Sequence, residues 1–205
     1  MLELDHIVVS AKTLAKGVSA IEAALGVTLA PGGEHALMGT HNRLLSLGPG
    51  AYLEVIAVNP AAPPPGWPRW FDLDRFTGPP RLTNWVARCA DLTAALAGSP
   101  AGVGRAHDLQ RGDFRWHMGI PEDGCLPFGG AFPGLIEWQG GLHPADRLPD
   151  ADCRLARLTL RHPQAAALRA ALEGRIADGR LVIETGPDKA FEALIETPQG
   201  MRMLT

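Results

Sequence analysis

A weak internal repeat with a period of roughly 75 residues constrains the fold of this chain more than any other feature of its sequence. The segment DHIVVSAKTL aligns with TNWVARCADL, which pairs His6 with Asn84. The segment GAYLEVI aligns with PGLIEWQ, which pairs Glu54 with Glu137. Because copies of one supersecondary unit stack around a shared core, we expect equivalent positions to meet near a common axis.

The first copy predicts a strand, a helix and further strands. LDHIVVS is short and rich in β-branched residues, which is typical of a strand. Apolar residues then recur at the spacing of one helix face and a glycine follows as a stop signal, at Leu14, Val18, Ile21, Leu25 and Gly26. HNRLLSLG and AYLEVIAV predict two more strands. The same pattern returns from residue 82, and a third, shorter version begins near residue 154.

A proline-rich stretch, NPAAPPPGWPRWFDLDRFTGPP, follows the first copy and leads to the second within residues 59–81. Its prolines exclude a regular helix or a central strand. It also carries four large aromatic residues, namely Trp67, Trp70, Phe71 and Phe76. Two interpretations stay open: a long connection pinned in place by its aromatics, or a loop that closes over a pocket.

Composition excludes several classes of function. The formal net charge is -3 and there is no basic run, which argues against nucleic acid as a partner. No apolar run approaches the roughly 20 residues that span a bilayer, so we expect no membrane partner, and the N-terminus lacks the pattern of a secretory signal. The three cysteines, Cys89, Cys125 and Cys153, are far apart, which fits a reducing cytoplasm rather than a disulfide framework.

Two glutamates sit inside apolar strands, at the aligned positions Glu54 and Glu137. An ionised carboxylate in a strand core is costly unless it is paired or bound to a metal. His6, in the first strand, adds an imidazole, and one imidazole with two carboxylates is a ligand set for a divalent transition metal. The sequence therefore predicts a metal site at His6, Glu54 and Glu137, with open positions for water or substrate.

The sequence resembles the glyoxalase-like members of the vicinal oxygen chelate superfamily over about residues 1–140, through LDHIVVSAKTL, GTHNRLLSLGPGAYLEVIAV and LPFGGAFPGLIEWQ. That superfamily pairs βαβββ modules whose curved sheets enclose a metal cavity, with ligands from the first and last strands of each module. By position, the resemblance assigns ligands to His6, Glu54, Asn84 and Glu137. The superfamily often has His or Gln where this chain has Asn84, which implies a three-residue or degraded metal site.

The resemblance and the repeat together predict an α+β fold with curved mixed or antiparallel sheets around a cavity. We expect one βαβββ module at residues 1–58, the proline-rich connection at 59–81 and a second module at 82–141. A third, degenerate βαβββ-like module is expected at 152–205, packed alongside or mediating dimerisation. The small-molecule cavity would be the main site, and a homodimer is considered.

The function predicted from these features is a metal-dependent lyase or isomerase acting on a small oxygenated metabolite that chelates the metal through vicinal oxygens. The divalent ion (Zn, Ni, Mn, Fe or Mg) would act as a Lewis acid. The catalytic base would be Glu54, Glu137 or His117, the last because DFRWHMGIP lies in the copy that lacks a first-strand histidine. Substrate contacts are expected from Asn42, Arg43, Asn84 and Trp116.

Two alternatives stay open. An extradiol-type dioxygenase would need a second histidine beside one carboxylate, and His117 is the candidate. A metal-free protein that binds and sequesters a ligand is favoured by Asn84 and by the tryptophan-rich second copy. Fold resemblance does not choose between these activities.

Overall fold

The computed structural model describes all residues from Met1 to Thr205, and eight of its strands form one sheet. Their order is β2-β3-β4-β1-β5-β8-β7-β6. The strands are β1 (Glu3–Ser10), β2 (Ala30–His35), β3 (Thr40–Ser46), β4 (Tyr52–Val58), β5 (Arg81–Arg88), β6 (Arg105–Arg111), β7 (Phe114–Ile120) and β8 (Gly134–Gln139). The predicted α+β class is confirmed.

Four α-helices and two short 3₁₀ helices accompany the strands. The α-helices are α1 (Leu14–Leu25), α2 (Leu92–Ala97), α3 (Pro144–Arg147) and α4 (Ala165–Leu172), and the 3₁₀ helices span Trp70–Arg75 and Phe128–Gly130. Helix α1 follows the predicted apolar spacing: the Thr13 hydroxyl caps its first turn, and Gly26 ends it at φ 70°. No helix in the structure has both the length and the apolar character needed to cross a membrane.

The eight-stranded sheet consists of two halves that share one topology. In the first half β1 runs parallel to β4, and in the second half β5 runs parallel to β8. The halves join where β1 pairs with β5 antiparallel, with Ile7 opposite Trp85. His6 lies opposite Val86 and Val8 lies opposite Asn84, so an approximate two-fold axis through this pairing relates His6 to Asn84.

The C-terminal segment forms a separate four-stranded sheet of order β10-β9-β11-β12. Its strands are β9 (Arg154–His162), β10 (Leu181–Thr185), β11 (Ala190–Thr197) and β12 (Gly200–Leu204). The element order is strand, helix and three strands, as expected. The pairing differs, however, because β9 runs parallel to the next strand, β10, whereas β1 and β5 run parallel to the last strand of their halves. The segment is therefore not a topological copy of the repeated module.

The sheet separates two hydrophobic clusters. The larger cluster lies on the outer face of the eight-stranded sheet, where Ile7 and Trp85 pack with α1, α2 and the four-stranded sheet. The smaller cluster lies on the inner face and includes Val8, Val86 and Trp116. The edge strands β2 and β6 contact each other, so the sheet curls around this inner face.

Candidate functional site

A small cavity opens on the inner face of the curled sheet, beside the smaller hydrophobic cluster. Its free volume is about 20 Å³, which is room for roughly one water molecule. Strands from both halves and the Trp70–Arg75 helix contribute to its wall, through His6, His35, Tyr52, Glu54, Trp70, Phe71, Arg111, Trp116, Met118, Ile136 and Trp138. The wall is thus mostly aromatic and apolar, with a few convergent polar groups, as is usual for small-molecule sites.

The polar centre of the cavity is a line of three side chains, Asp5, His6 and Glu54. The pairing of β1 with β5 shifts register between Leu4 and His6, and such a bulge re-aims neighbouring side chains. His6 Nδ1 lies 2.6 Å from Asp5 Oδ1, and His6 Nε2 lies 3.6 Å from Glu54 Oε2. Tyr52 stacks on the imidazole with ring centroids 4.5 Å apart. The imidazole is therefore held on one side and presents Nε2 to Glu54.

Asp5 is fully buried and receives hydrogen bonds from two further side chains. The Trp138 indole nitrogen and His143 Nε2 each lie 2.9 Å from Asp5 Oδ2. Burial raises the pKa of Asp5, but hydrogen bonds from His143 and His6 more than offset it and hold the pKa well below its usual range. Asp5 is therefore an anion that orients His6.

The pKa values of His6 and Glu54 move in opposite directions. Burial lowers the pKa of His6, yet the hydrogen bond to Asp5 and the nearby Glu54 carboxylate raise it to about 9. Burial raises the pKa of Glu54, yet the nearby His6 imidazole and the amide of Asn42 bring it to about 2. At neutral pH the two groups are an imidazolium and a carboxylate facing each other across the cavity.

Asn42 and Arg111 hold the other side of Glu54. Asn42 Nδ2 donates to Glu54 Oε1 at 2.5 Å. The Asn42 side-chain oxygen accepts from Gly33 N at 2.8 Å and from Arg111 Nη1 at 3.2 Å. Arg111 comes from the far edge strand β6, so the curl of the sheet brings it to β3. Asn42, which we predicted as a substrate contact, thus contacts Glu54 in this structure.

His35 is the second buried imidazole at the cavity. Its Nδ1 lies 3.0 Å from Thr40 Oγ1, and its Nε2 lies 3.4 Å from the Asn42 amide nitrogen and 3.5 Å from Arg111 Nη1. Burial lowers its pKa to about 4, so the ring is neutral at physiological pH.

The structure does not bring Glu137 to this site. Its Oε2 accepts the backbone N–H of Leu92 at 2.7 Å, at the start of α2, and its Oε1 accepts from Gln139 at 2.7 Å. Val8 lies opposite Glu54, and the equivalent Val86 lies opposite Gly134, so Gly134 occupies the position equivalent to Glu54. The sequence alignment paired Glu54 with Glu137, which lies three residues beyond the structural equivalent. A shift by an odd number of residues turns a side chain to the opposite face of the sheet.

His117 is likewise corrected as a candidate base or ligand. It lies directly opposite Glu137 in the pairing of β7 with β8, and its neighbours Trp116 and Met118 line the cavity. Side chains alternate along a strand, so His117 points to the other face, where its side chain is 42% exposed and faces Asp108 at 3.6 Å.

Of the three remaining predicted substrate contacts, one lies in the cavity wall and two do not. Trp116 lies in the cavity wall. Asn84 is buried, but its amide donates to Gly130 O at 3.5 Å and borders a neighbouring pocket instead. Arg43 does not line the cavity, and its guanidinium donates to the backbone oxygen of Asn42 at 3.3 Å.

The donor set does not fit the divalent metal that the resemblance implies. His6 and Glu54 could supply two ligands, but Glu137 caps α2, and the second half offers Asn84 and Gly134 at the equivalent positions. No group of three or more His, Cys, Asp and Glu side chains is arranged to hold a metal ion. Catalytic zinc sites, for comparison, use three protein ligands.

Several residues of the site were not predicted: Asp5, His35, Tyr52, Arg111 and His143. Asp5 stands directly before His6, and an adjacent acid is a weak signal for a hydrogen-bonded histidine. The other four lie far from His6 in sequence. Strand pairing places Tyr52 directly opposite His6, and the tertiary fold brings in the remaining three. The connection also proves to cover the cavity, because Trp70 and Phe71 are buried in its wall.

Comparison with known proteins agrees with this fold. A family model described as a glyoxalase-like domain matches residues 4–175. No curated protein matches the sequence. A hypothetical protein from Staphylococcus aureus, known from its crystal structure, is similar over 98% of this chain and 92% of its own, with a TM-score of 0.67 and 13% identity. At that identity the likeness shows the fold alone.

Two enzymes of known structure are more distantly similar. Methylmalonyl-CoA epimerase from Mycobacterium tuberculosis matches with 20% identity over 65% of this chain and 86% of its own, at a TM-score of 0.43. A mutant of 4-hydroxymandelate synthase from Streptomyces coelicolor matches with 15% identity over 74% of this chain and 54% of its own, also at 0.43. Because the family model spans most of the sequence, the chain belongs to the glyoxalase-like domain family.

Proposed function

We propose that this chain is a glyoxalase-like enzyme that moves a proton on a small oxygenated substrate, with Glu54 as base and His6 as acid. The observation that carries the proposal is the buried carboxylate of Glu54, 3.6 Å from His6 Nε2, in an aromatic cavity. Pairs of titratable groups with oppositely shifted pKa values are typical of acid–base sites. The reaction class is that of a lyase or isomerase.

Substrate binding would activate the pair. A carbonyl oxygen that accepts the Nε2 proton of His6 takes the place of the Glu54 carboxylate as hydrogen-bond partner. Glu54 then loses the interaction that lowers its pKa, while burial continues to raise it. It can accept a proton from the carbon next to the carbonyl, and the imidazolium stabilises the negative charge that develops on the oxygen.

The cavity must enlarge to admit such a substrate, since it holds only about 20 Å³. Trp70 and Phe71 of the connection form part of the wall, and Phe71 has a left-handed backbone conformation with φ 57°. This conformation is uncommon for a bulky residue and stores strain. We propose that the connection opens to admit substrate and closes to exclude water.

The metal-dependent form of this function, expected from the resemblance, needs a ligand beyond His6 and Glu54. Elemental analysis of the purified protein separates the two forms. Stoichiometric Zn, Ni, Mn, Fe or Mg that is lost in both His6→Ala and Glu54→Gln would favour the metal form. Full activity after chelation would favour metal-free proton transfer.

Proton transfer is tested by hydrogen exchange in D2O. Wild-type protein is incubated with small carbonyl compounds that carry an acidic C–H beside the carbonyl, and loss of that signal is followed by ¹H NMR. Exchange should be lost in Glu54→Gln and His6→Gln. It should persist in the control His117→Gln, because His117 faces away from the cavity. Exchange that survives in both cavity variants would overturn the proposal.

A ligand-binding protein without catalysis is the second candidate, favoured by the five aromatic residues of the wall, namely Tyr52, Trp70, Phe71, Trp116 and Trp138. It predicts tight binding of a planar compound that Glu54→Gln leaves intact, with no exchange in wild type. The extradiol-type dioxygenase loses the second histidine expected for it, because His117 points outward. His35 is the other imidazole at the cavity, but it is not arranged with His6 and Glu54 to hold a metal ion. A cytoplasmic location, a small-molecule partner and a homodimer remain part of the proposal, the first because all three cysteines are free thiols.

A further inference from the structure

A second pocket adjoins the cavity at Phe71. Its volume is about 130 Å³. Phe71 is the one residue that lines both this pocket and the cavity, so the two spaces are neighbours. Asn84 lies in the wall of the second pocket, at the position related by the approximate two-fold axis to His6.

The second pocket is strongly cationic. Arg75, Arg81 and Lys189 line it, and Asp72 is the only carboxylate in its wall. Asp72 pairs with Arg75, with 2.6 Å between Oδ1 and Nε. Arg81 and Lys189 have no carboxylate partner: Arg81 Nη1 donates to Thr77 O at 2.7 Å, and Lys189 Nζ donates to Gly129 O at 2.5 Å. The pocket thus carries an excess of two positive charges.

The cations come from three separate parts of the chain. Arg75 ends the short helix of the connection, Arg81 begins β5, and Lys189 precedes β11 of the C-terminal sheet. All three cations are exposed at the pocket, so water screens part of their mutual repulsion, and a bound anion would offset the rest. The C-terminal segment, which supplies no group to the cavity, supplies one here.

Backbone strain is concentrated at the same place. Four non-glycine residues have a left-handed φ, and three of them, Phe71, Asp72 and Phe128, lie in or directly beside the wall of this pocket. Such strain persists where the surrounding structure over-determines it and clusters at ligand-binding sites.

The charges of the two spaces differ. In and around the cavity, the anions Asp5 and Glu54 are balanced by the cations His6 and Arg111. A neutral carbonyl group suits that balance, whereas an anionic group suits the second pocket. A substrate that reaches past Phe71 would place one end in each.

We propose that the second pocket is an anion subsite that binds a carboxylate or phosphate group of the substrate through Arg81 and Lys189. The substrate class is then a small carbonyl compound with an anionic group at its far end. The role of this subsite in catalysis rests on the proposed function, whereas its ability to bind an anion does not.

The test measures anion binding first. Inorganic phosphate and acetate are titrated separately into full-length wild type and into the double variant Arg81→Gln/Lys189→Gln by calorimetry. Removing two charged hydrogen-bond donors should weaken binding by about tenfold or more. The control Arg202→Gln, which removes a half-buried cation from β12, outside the pocket, should bind as wild type does. The anion that binds more tightly shows whether the subsite prefers a phosphate or a carboxylate group.

The second measurement uses the exchange reaction with an anionic carbonyl compound and its neutral ester. The double variant should raise KM for the anion at least tenfold, with little change in kcat and no change for the ester. Equal anion binding by wild type and double variant, or no binding by wild type, would overturn the subsite. Loss of anion binding in the double variant, with no exchange in wild type, would leave the subsite standing and remove the proposed reaction.

Discussion

The two halves of the eight-stranded sheet share one topology but not one chemistry. The first half carries His6 and Glu54 on its first and last strands, and the second half carries Asn84 and Gly134 at the equivalent positions. A shared fold therefore does not imply a shared ligand set. The proposed acid–base pair belongs to one half, and the other half supplies most of the apolar wall.

Packing explains why the second half cannot simply mirror the first. A Cβ atom on Gly134 would lie 3.1 Å from Met118 Cε and 3.4 Å from Val86 Cγ2. Apolar side chains thus fill the space that a second glutamate would need. The second half still contributes one charge, because Arg111 reaches across the curl to Asn42.

The largest expected effect concerns the two glutamates that the sequence treated as equivalent. Glu54→Gln should reduce the proton-exchange rate by about 10²–10⁴-fold, because it removes the proposed base. Glu137→Gln should leave the rate within a fewfold of wild type and should destabilise the protein by about 1 kcal/mol, because it weakens the cap of α2. Exchange kinetics and urea unfolding measure both. Equal loss of rate in the two variants would restore the symmetric interpretation.

Removing the anion that orients His6 should be the next largest effect. Asp5→Asn removes the negative charge beside the buried imidazolium of His6 and should lower the free energy of unfolding by about 3–5 kcal/mol. The matched control on the same strand is Glu3→Gln. Its ion pair with Arg88 is largely exposed, so the change should stay below about 1 kcal/mol. The free energy of unfolding of both variants is measured by urea denaturation. A similar loss in the two variants would contradict the expected effect of burial.

The pH dependence of stability should carry the signature of the first half. The pKa of His6 is about 9 in the folded protein, above its ordinary 6.5. Its contribution is therefore fully present below pH 6.5 and is lost as pH rises through 9, by at most about 3 kcal/mol. On the acid side, Glu54 with a pKa of about 2 contributes above pH 4.5 and loses its contribution as pH falls through 2.

His6→Gln isolates the alkaline part of this profile. The variant should lose most of the decline in unfolding free energy between pH 6.5 and 9, as measured by urea denaturation at fixed ionic strength. Asn84→Gln changes the equivalent position of the second half and should keep the decline. A decline that persists unchanged in His6→Gln would mean that another group carries it.

The smallest expected effect tests the packing at the position equivalent to Glu54. Gly134→Ala places a methyl group against the flexible end of Met118 and should change the free energy of unfolding by about 1 kcal/mol or less. The exchange rate should not change, because Gly134 supplies no group to the reaction. A large loss of rate would show that the second half takes part in the chemistry.

Local patterns predicted most of the elements. Three predictions agree with the structure: the strand at His6, helix α1 with its stop at Gly26, and the equivalence of His6 with Asn84. Each depends on a short pattern whose residues are close together in the sequence. The structure places His6 beside Glu54, as the sequence suggested, but places Glu137 at the start of α2. In β8 the match of Glu137 to Glu54 was chosen by residue identity, and strand register, which decides the facing side, is not visible in identity.

The third segment shows the same limit on a larger scale. Its element order matches the repeat, yet β9 pairs in parallel with β10 rather than with the last strand. Order along the chain is local, whereas strand pairing depends on the packing of the whole sheet against its neighbours.

The sequence by itself determined the α+β class, the repeated βαβββ pattern, the family and the first half of the site, His6 with Glu54. Only the tertiary structure decided that Asp5 and Asn42 contact that pair, that Glu137 and His117 face away, and that a cationic pocket adjoins the cavity at Phe71. The physical reason is that periodicity shows which residues share a face of one element. The curl of the sheet and the register of its strands decide which faces meet.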